Sequence, residues 1–406
     1  MSTPDVLFEI RENQLETGLR GYPVGYCTTS TVDPIKGLFY AGYPLSQLSD
    51  CTAEEVLFLL FYGRLSDPKE QKSFQKELQS RAICSPDLLA HITQLPRTTP
   101  PMKLLSIALL LAGSEQQKFQ YAQDALTITA QIPEMVAAII RHHAGWGSPK
   151  ASQPDLGYIE NFVHLLDPPH TYSLDSLKEA FRLFNILHYD HGGGNLSAFV
   201  GKAVASGLED MYGSLAAAMC ALAGPRHGRA NQDCLQFLEQ LLQEIGPVPE
   251  EAILQKRLEE KLAQGQLIFG FGHAVLRTED PRATLLYTLC EKKYSAHPLV
   301  QLALLLRRVG SFVLAKSGKI SDPHPNVDAI SGTLLSAAGF PYPDYFTLLF
   351  GMARIAGISR QIVYERMEAR GGKGTPIVRP KYVFKKLESP SSAPALSQKA
   401  CDTKAP

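Results

Sequence analysis

Four stretches of the sequence gather the side chains that move protons and hold anions: HYDHGGGN (188–195), AGPRHGRAN (223–231), FGFGHAVLRTEDPRA (269–283) and HPNVDAISG (324–332). In each, Gly or Pro interrupts a helical pattern, and irregular connections between rigid helices let reactive groups converge without breaking the packing. His227 follows Gly224-Pro225, which ends one helix, and precedes Asn231, a residue suited to cap the next. Near a helix N-terminus the positive end of the dipole disfavours the imidazolium. A neutral imidazole there is a hydrogen-bond donor to an oxygen that gains charge as a proton leaves the neighbouring carbon. The plain alternative, a histidine bonded to a loop carbonyl, is commoner for any isolated one.

The other candidates divide the same way. His188 and His191 are three apart, as metal ligands on a helical turn would be, but no second ligand pair stands at a usual spacing. The segment runs into Gly192-Gly193-Gly194, so no metal is expected, and these histidines read as capping or structural groups, or as one donor to a carboxylate. In GFGHAVLR, Gly270 and Gly272 allow backbone amides to approach a ligand closely, and Arg277 has the reach to meet a phosphate. Arg282 follows Asp280-Pro281 at a helix start, where a surface ion pair is the ordinary explanation. Asp328 also stands where a helix begins, and capping by an aspartate is frequent.

The elements that must position these groups are almost all helical. The first ~50 residues, with LFEI, GLRGYPVGYCTTS and IKGLFYAGYPLSQL, read as short strands and turns. Thr52 then opens a capping box with Glu55, and EEVLFLLFYGRL runs to a stop at Gly63. Helical segments continue to YERM; in one, Leu235, Leu238, Leu242 and Ile245 recur at helical spacing. No βαβ alternation occurs, which argues against a parallel nucleotide-binding sheet. The expectation is an all-α chain with a few short N-terminal strands. GSLAAAMCALAG is rich in small residues and marks a close helix crossing, within the chain or between subunits. The Pro/Ser/Ala/Lys-rich tail after Phe384 has too few large apolar groups to fold.

Bulk composition narrows the function classes. The 406 residues are 45% hydrophobic and 20% charged, ordinary for a globular chain. Lys plus Arg equals Asp plus Glu at 40 each, so no global field favours nucleic acid or an anionic membrane, and any anionic ligand must be held by locally gathered cations. The most apolar stretch, Leu104 to Ala112, is far short of the ~20 residues that span a bilayer. Seven scattered cysteines, odd in number and without a CxxC pair, fit reduced thiols. The start, MSTPDVLFEIREN, has neither an export nor an organelle pattern, so the expected location is cytoplasmic.

Singly these residues decide little; together they resemble a family. HYDHGGGN, SLAAAMCALAGPRHGRANQDCLQFL, GFGHAVLRTEDPRA, PNVDAISGTLL, YFTLLFGMARIAG and the late VRPK, in this order, resemble the citrate synthases, closest to the dimeric animal-like (si-type) members. The likeness is strong from about 180 to 382 and looser from about 15 to 180. It implies a two-domain helical fold: a discontinuous large domain (1–227 and 339–384), a small domain (228–338) that closes over the site, and a disordered tail (385–406).

The resemblance also implies roles. Asp328 takes a methyl proton from acetyl-CoA, His227 donates to the thioester oxygen, and His273 polarises the ketone of oxaloacetate and gives it a proton. His191, Arg282 and Arg354 hold the dicarboxylate, joined by Arg379 of VRPK from the partner subunit of a homodimer. The backbone of Ile268, Phe269, Gly270, Phe271 and Gly272, with Arg277, holds CoA. No cofactor beyond the two substrates is implied. These roles make physical sense: a thioester methyl is too weak an acid for a carboxylate alone, so its oxygen must be stabilised at the same moment. Arginine's planar fork suits carboxylates as lysine does not. Three departures from the family pattern stand out: Gly192 in place of an acid, Ser321 where relatives carry a CoA-contacting lysine, and a longer ARGGKGTPIVRPK segment before Arg379. A 2-methylcitrate synthase would share the whole apparatus, since propionyl-CoA differs by one methylene, worth ~1–3 kcal/mol in an acyl pocket. A non-catalytic homologue would be expected to lack a catalytic group, and none is missing.

Overall fold

The computed structural model of the chain describes residues 6–386 except 117, 119, 154, 170–172, 248, 249, 319 and 321. Ser321 and the tail from residue 387, Cys401 included, therefore lie outside the described residues; Lys385 and Lys386 are exposed and without regular structure.

The predicted short strands form one antiparallel sheet, β1 (Ser30–Asp33), β2 (Gly37–Tyr40) and β3 (Tyr43–Pro44), with Ser30 opposite Tyr40 and Asp33 opposite Gly37. Its first turn is set by Asp33, whose carboxylate accepts the amides of Ile35 (2.9 Å) and Lys36 (2.7 Å), and by Gly37 at φ +90°. Helices then dominate. Thr52 and Glu55 form the expected box, with Glu55 N–H on Thr52 Oγ1 (3.2 Å) and Thr52 N–H on Glu55 Oε2 (2.7 Å), and Gly63 ends that helix in the left-handed region. Asp67-Pro68, Ser85-Pro86 and Asp280-Pro281 give a second start signal, a capping side chain followed by a proline at the first helical position.

One helix, Phe346–Val363, runs through the centre of the molecule with every residue but Arg360 buried. Tyr121–Ala144, Leu174–His188, Leu196–Ser206, Met211–Leu222 and Pro101–Ser114 pack around it. By length and composition Pro298–Ser317 and the Pro343–Gly372 run would each span a bilayer, but 94% of the second one's apolar window is buried, as befits a core helix. The GSLAAAMCALAG helix crosses within the chain: a Cβ on Gly201 would lie 3.2 Å from Ala218 Cβ and 3.1 Å from Ile358 Cγ2. A second set of helices, Ala230–Ile245, Glu251–Ala263, Pro281–Tyr294, Pro298–Ser317 and Asp328–Ala337, packs chiefly on itself. Asn231 is not the cap expected of it. The helix starts one residue earlier, and Asn231 is buried in its first turn, donating to Ser331 Oγ at 2.6 Å.

Candidate active site

The loop after helix Leu174–His188 lies against the central helix at Gly357, whose N–H reaches Tyr189 O (3.2 Å) and where a Cβ would come within 2.4 Å of that oxygen. Only glycine admits this approach. His188 is structural: its Nδ1 bonds Phe184 O at 2.7 Å and its ring stacks on Phe184. Its carbonyl accepts Arg354 Nε at 2.8 Å, and the Arg354 guanidinium lies 4.7 Å from the centroid of Phe350. Arg354 is thus aimed from a buried helix by a carbonyl and an aromatic face. Next in the loop, His191 turns toward His273, with ring centroids 5.2 Å apart and its Nε2 buried without a protein partner.

The GFGHAVLRTEDPRA and HPNVDAISG segments are stitched together. Phe271 and Pro325 form an antiparallel bridge through Gly272 N–H to His324 O and Asn326 N–H to Gly270 O, both 2.9 Å. Asn326 Nδ2 also donates to Gly272 O (2.8 Å), while its Oδ1 accepts Asp328 N–H (3.0 Å). Gly270 has no space for a side chain, since a Cβ would meet Ala329 Cα at 2.8 Å. Asp280 is the second stitch: buried, it grips Arg282 through Nη2 (2.7 Å) and Nε, and it accepts Val327 N–H at 3.2 Å. Arg282 therefore makes an ion pair, as one ordinary explanation had it, but a buried one rather than a surface one.

The two histidines beside this cluster carry their protons on opposite nitrogens. His227 Nε2 accepts Ser197 N–H (3.3 Å), and a backbone amide can only donate, so the ring proton of the neutral form sits on Nδ1. His273 Nδ1 accepts the amides of Val275 (3.1 Å) and Leu276 (2.9 Å), which places its proton on Nε2. Burial, reinforced by Arg354, holds His227 down to about 4; burial, with Arg282 beside it, does the same to His273. Both are neutral donors near pH 7. Asp328 moves the other way: burial pushes it up to about 6, against the pull of Arg282 and Arg354. A carboxylate poised there is a better base than an ordinary aspartate and is still ionised at neutral pH.

So the structure gathers His191, His273, Arg282, Arg354 and Asp328 around mutually felt charges, with His227 against the Phe350 ring that carries Arg354. It places others elsewhere. Arg379 is exposed on the C-terminal segment, where the preceding Val378 N–H donates to Ser206 Oγ at 2.9 Å. Arg277 is about half exposed, donating to Leu276 O (2.9 Å) and lying 3.5 Å from Asp322. The Ile268 side chain is core, so only its backbone is left to meet a ligand. Sequence reasoning missed Asp190, Ser197, Asp280, Asn326 and Phe350. The Asp-Pro start signal marked Asp280 as a cap, and nothing local marked the others.

The family described as "Citrate synthase, C-terminal domain" matches residues 18–381. The mitochondrial citrate synthase of Daucus carota is 34% identical over 391 residues, covering 90% of this chain and 81% of that protein; the Saccharomyces cerevisiae mitochondrial enzyme is 31% identical over 400, covering 93% and 82%. Among solved structures, citrate synthase from Thermotoga maritima superposes with a TM-score of 0.77 at 25% identity, covering 94% of this chain and 98% of that one. A ternary complex of carboxymethyl coenzyme A and oxaloacetate with the Thermoplasma acidophilum citrate synthase gives 0.78 at 25% identity, with the same coverage.

Proposed function

The chain belongs to the citrate synthase family, and from that premise we infer that it condenses acetyl-CoA with oxaloacetate and water to give citrate and CoA. The observation that carries this reading is geometric: His227 accepts a backbone amide on Nε2 and His273 accepts two on Nδ1, which leaves each a donor on its other nitrogen, in the cluster that also holds Arg282, Arg354 and Asp328. Asp328 takes a proton from the acetyl methyl while His227 Nδ1–H meets the thioester oxygen, so the enol forms without a free enolate. The enol carbon attacks the ketone carbon of oxaloacetate, and His273 Nε2–H supplies the proton to the new alkoxide. Hydrolysis of citryl-CoA completes the reaction. Arg282, Arg354 and His191 suit a dianion, two by planar forks and one by its free buried Nε2. The enolisation and the condensation each have a residue for their proton, and we propose that no cofactor beyond the substrates takes part.

We assign CoA to 268–272 and Arg277, a reading supported by the Phe271–Pro325 bridge, which turns Phe271's own N–H and C=O away from Pro325. We assign 228–338 as a small domain closing on 1–227 and 339–384, a division supported by the self-contained packing of its five helices. A homodimer is supported by the end of the C-terminal segment: Val378 N–H is anchored on Ser206 Oγ at 2.9 Å, and beyond it Arg379 is exposed and Tyr382 and Phe384 are each 90% exposed, apolar surface that a partner would cover. The free thiols among the described residues, Cys51 and Cys234 among them, support a reducing compartment. We propose the cytoplasm; the plant and yeast relatives named above are mitochondrial, and imaging a tagged full-length chain separates the two.

Oxaloacetate-dependent release of CoA thiol tests the activity, and a higher kcat/KM with propionyl- than acetyl-CoA would instead make it a 2-methylcitrate synthase. For the shared site, mixing inactive D328N and R379A subunits is expected to restore activity, because a hybrid dimer has one site with both residues. A mixture as dead as its parents would place Arg379 elsewhere.

A further inference from the structure

The N-terminal sheet has no part in the reading above, yet its contacts run to both sides of the site. Ser30, the first residue of β1, lies beside the His191 loop. Its hydroxyl donates to Asp190 Oδ2 and accepts Gly192 N–H, each at 2.7 Å, so a single oxygen holds the residue before His191 and the residue after it. Asp190 is wholly buried, and its carboxylate also accepts Thr29 Oγ1 and, at 2.7 Å, Gln361 Nε2 from the central helix. Tyr40 on β2 closes the clasp: its hydroxyl accepts Asp190 N–H (3.1 Å) and lies within reach of the carbonyls of Ile186 (2.9 Å) and Asp190 (3.3 Å).

The other end of the same hairpin meets the segment that follows His273. Pro34 O accepts Arg277 N–H at 2.9 Å, and Thr278 Oγ1 reaches Ile35 O at 3.4 Å. Gly37 lies against Pro281, where a Cβ would stand 2.6 Å from the proline Cγ. A strand of four residues spans ~13 Å and is stiff in a sheet. It thereby links the loop that presents His191 to the segment that presents His273 and Arg282.

We propose that the Ser30–Tyr40 hairpin is a strut that sets His191 against His273 and Arg282, with Ser30 and Asp190 as positioning residues for the dicarboxylate. Neither touches substrate; they fix where the unpartnered His191 Nε2 points. Ser30 serves the His191 side and the Pro34–Gly37 turn serves the His273 side, so the two ends have separable effects.

The inference rests on the citrate synthase reading. If the wild-type protein shows no oxaloacetate-dependent thiol release, that reading fails before any variant is compared. With an active wild type, S30A deletes one oxygen and Thr29→Val replaces a hydroxyl at constant shape. S30A is expected to raise KM for oxaloacetate on the order of tenfold, as losing one hydrogen bond to a charged group does, with KM for acetyl-CoA within about twofold of wild type. Thr29→Val, which leaves Ser30 in place, gives a smaller shift in the same direction. G37A, strained at both its φ and its Pro281 contact, raises both KM values because it displaces Arg277 with His273. A drop in kcat and Tm with oxaloacetate KM unchanged in S30A and Thr29→Val would show a merely structural sheet and overturn the proposal. So would S30A shifting both KM values equally.

Discussion

The two ends of the candidate site are built differently. At the dicarboxylate end this chain's two arginines are buried and held by the protein itself, Arg282 by Asp280 and Arg354 by His188 O and the Phe350 ring, and the neutral His191 is held by the Ser30 clasp on both sides. At the CoA end Arg277 and Val275 are exposed, and Arg277 is held by backbone carbonyls and one ion pair at 3.5 Å. The difference follows from the ligands proposed for them. A small dianion must lose its water and meet preset donors, because a buried charge without close partners is costly. A long nucleotide can lie on the surface and be gripped by many weak contacts. Substitutions at the first end should therefore act steeply and specifically, and at the second shallowly.

The largest expected effect tests the junction of the two. Asp328→Asn removes the base while keeping shape, so kcat should fall ~10²–10⁴-fold. The same substitution should stabilise the protein. Asp328 has its pKa raised from 3.8 to about 6, so the native state binds this proton more tightly than the unfolded chain does. The ionised form at pH 7 thus costs about 3 kcal/mol of stability, a cost that disappears as the pH falls through 6 toward 4. D328N should melt above wild type at pH 7, with the gap closing by about pH 4; a lower Tm at pH 7 would refute the strained carboxylate. The acid limb of kcat/KM belongs near pH 6 for the same reason, because the histidines, held to about 4, are neutral on both sides of it.

Arg354→Lys is the next largest. Lysine has no planar fork, and its Nζ cannot both bond His188 O and meet a carboxylate in two places. KM for oxaloacetate should rise on the order of 10²-fold with little change for acetyl-CoA. Equal losses for both substrates would mean that Arg354 supports the fold of the loop and not the dianion.

How much of this was legible in the sequence follows the same division. Helix starts were readable because capping is local: Thr52 with Glu55, and Asp280 before Pro281, announce themselves within a few residues. The segments bearing His191, His227, His273 and Asp328 were readable as a set, through their Gly/Pro settings and their family-like order. What holds those residues was not. Asp190 meets Thr29 and Ser30 across some 160 positions, and Ser197 meets His227 across 30, contacts that no periodicity encodes. Asn231 shows the opposite failure: its type suited a cap, but it packs against Ser331 as the second residue of the helix. Arg379 was named by motif alone, and its own chain leaves it in solvent.

The smallest effect belongs to the CoA end, and it is the one that separates the two halves most cleanly. Arg277 is exposed, so its attraction to a phosphate is screened by water and salt, and an exposed pair contributes ~0.2–1 kcal/mol. R277A should raise KM for acetyl-CoA about two- to fivefold, leaving kcat and the oxaloacetate KM near wild type. Added salt should mimic the substitution: between about 0.05 and 0.5 M the wild-type acetyl-CoA KM climbs while that of R277A climbs less, since one of the screened charges is already gone. The oxaloacetate KM, set by buried arginines beyond the reach of mobile ions, should respond weakly in both. A strong and equal salt dependence for the two substrates would break the comparison, because it would mean that the dicarboxylate end is as open to solvent as the CoA end.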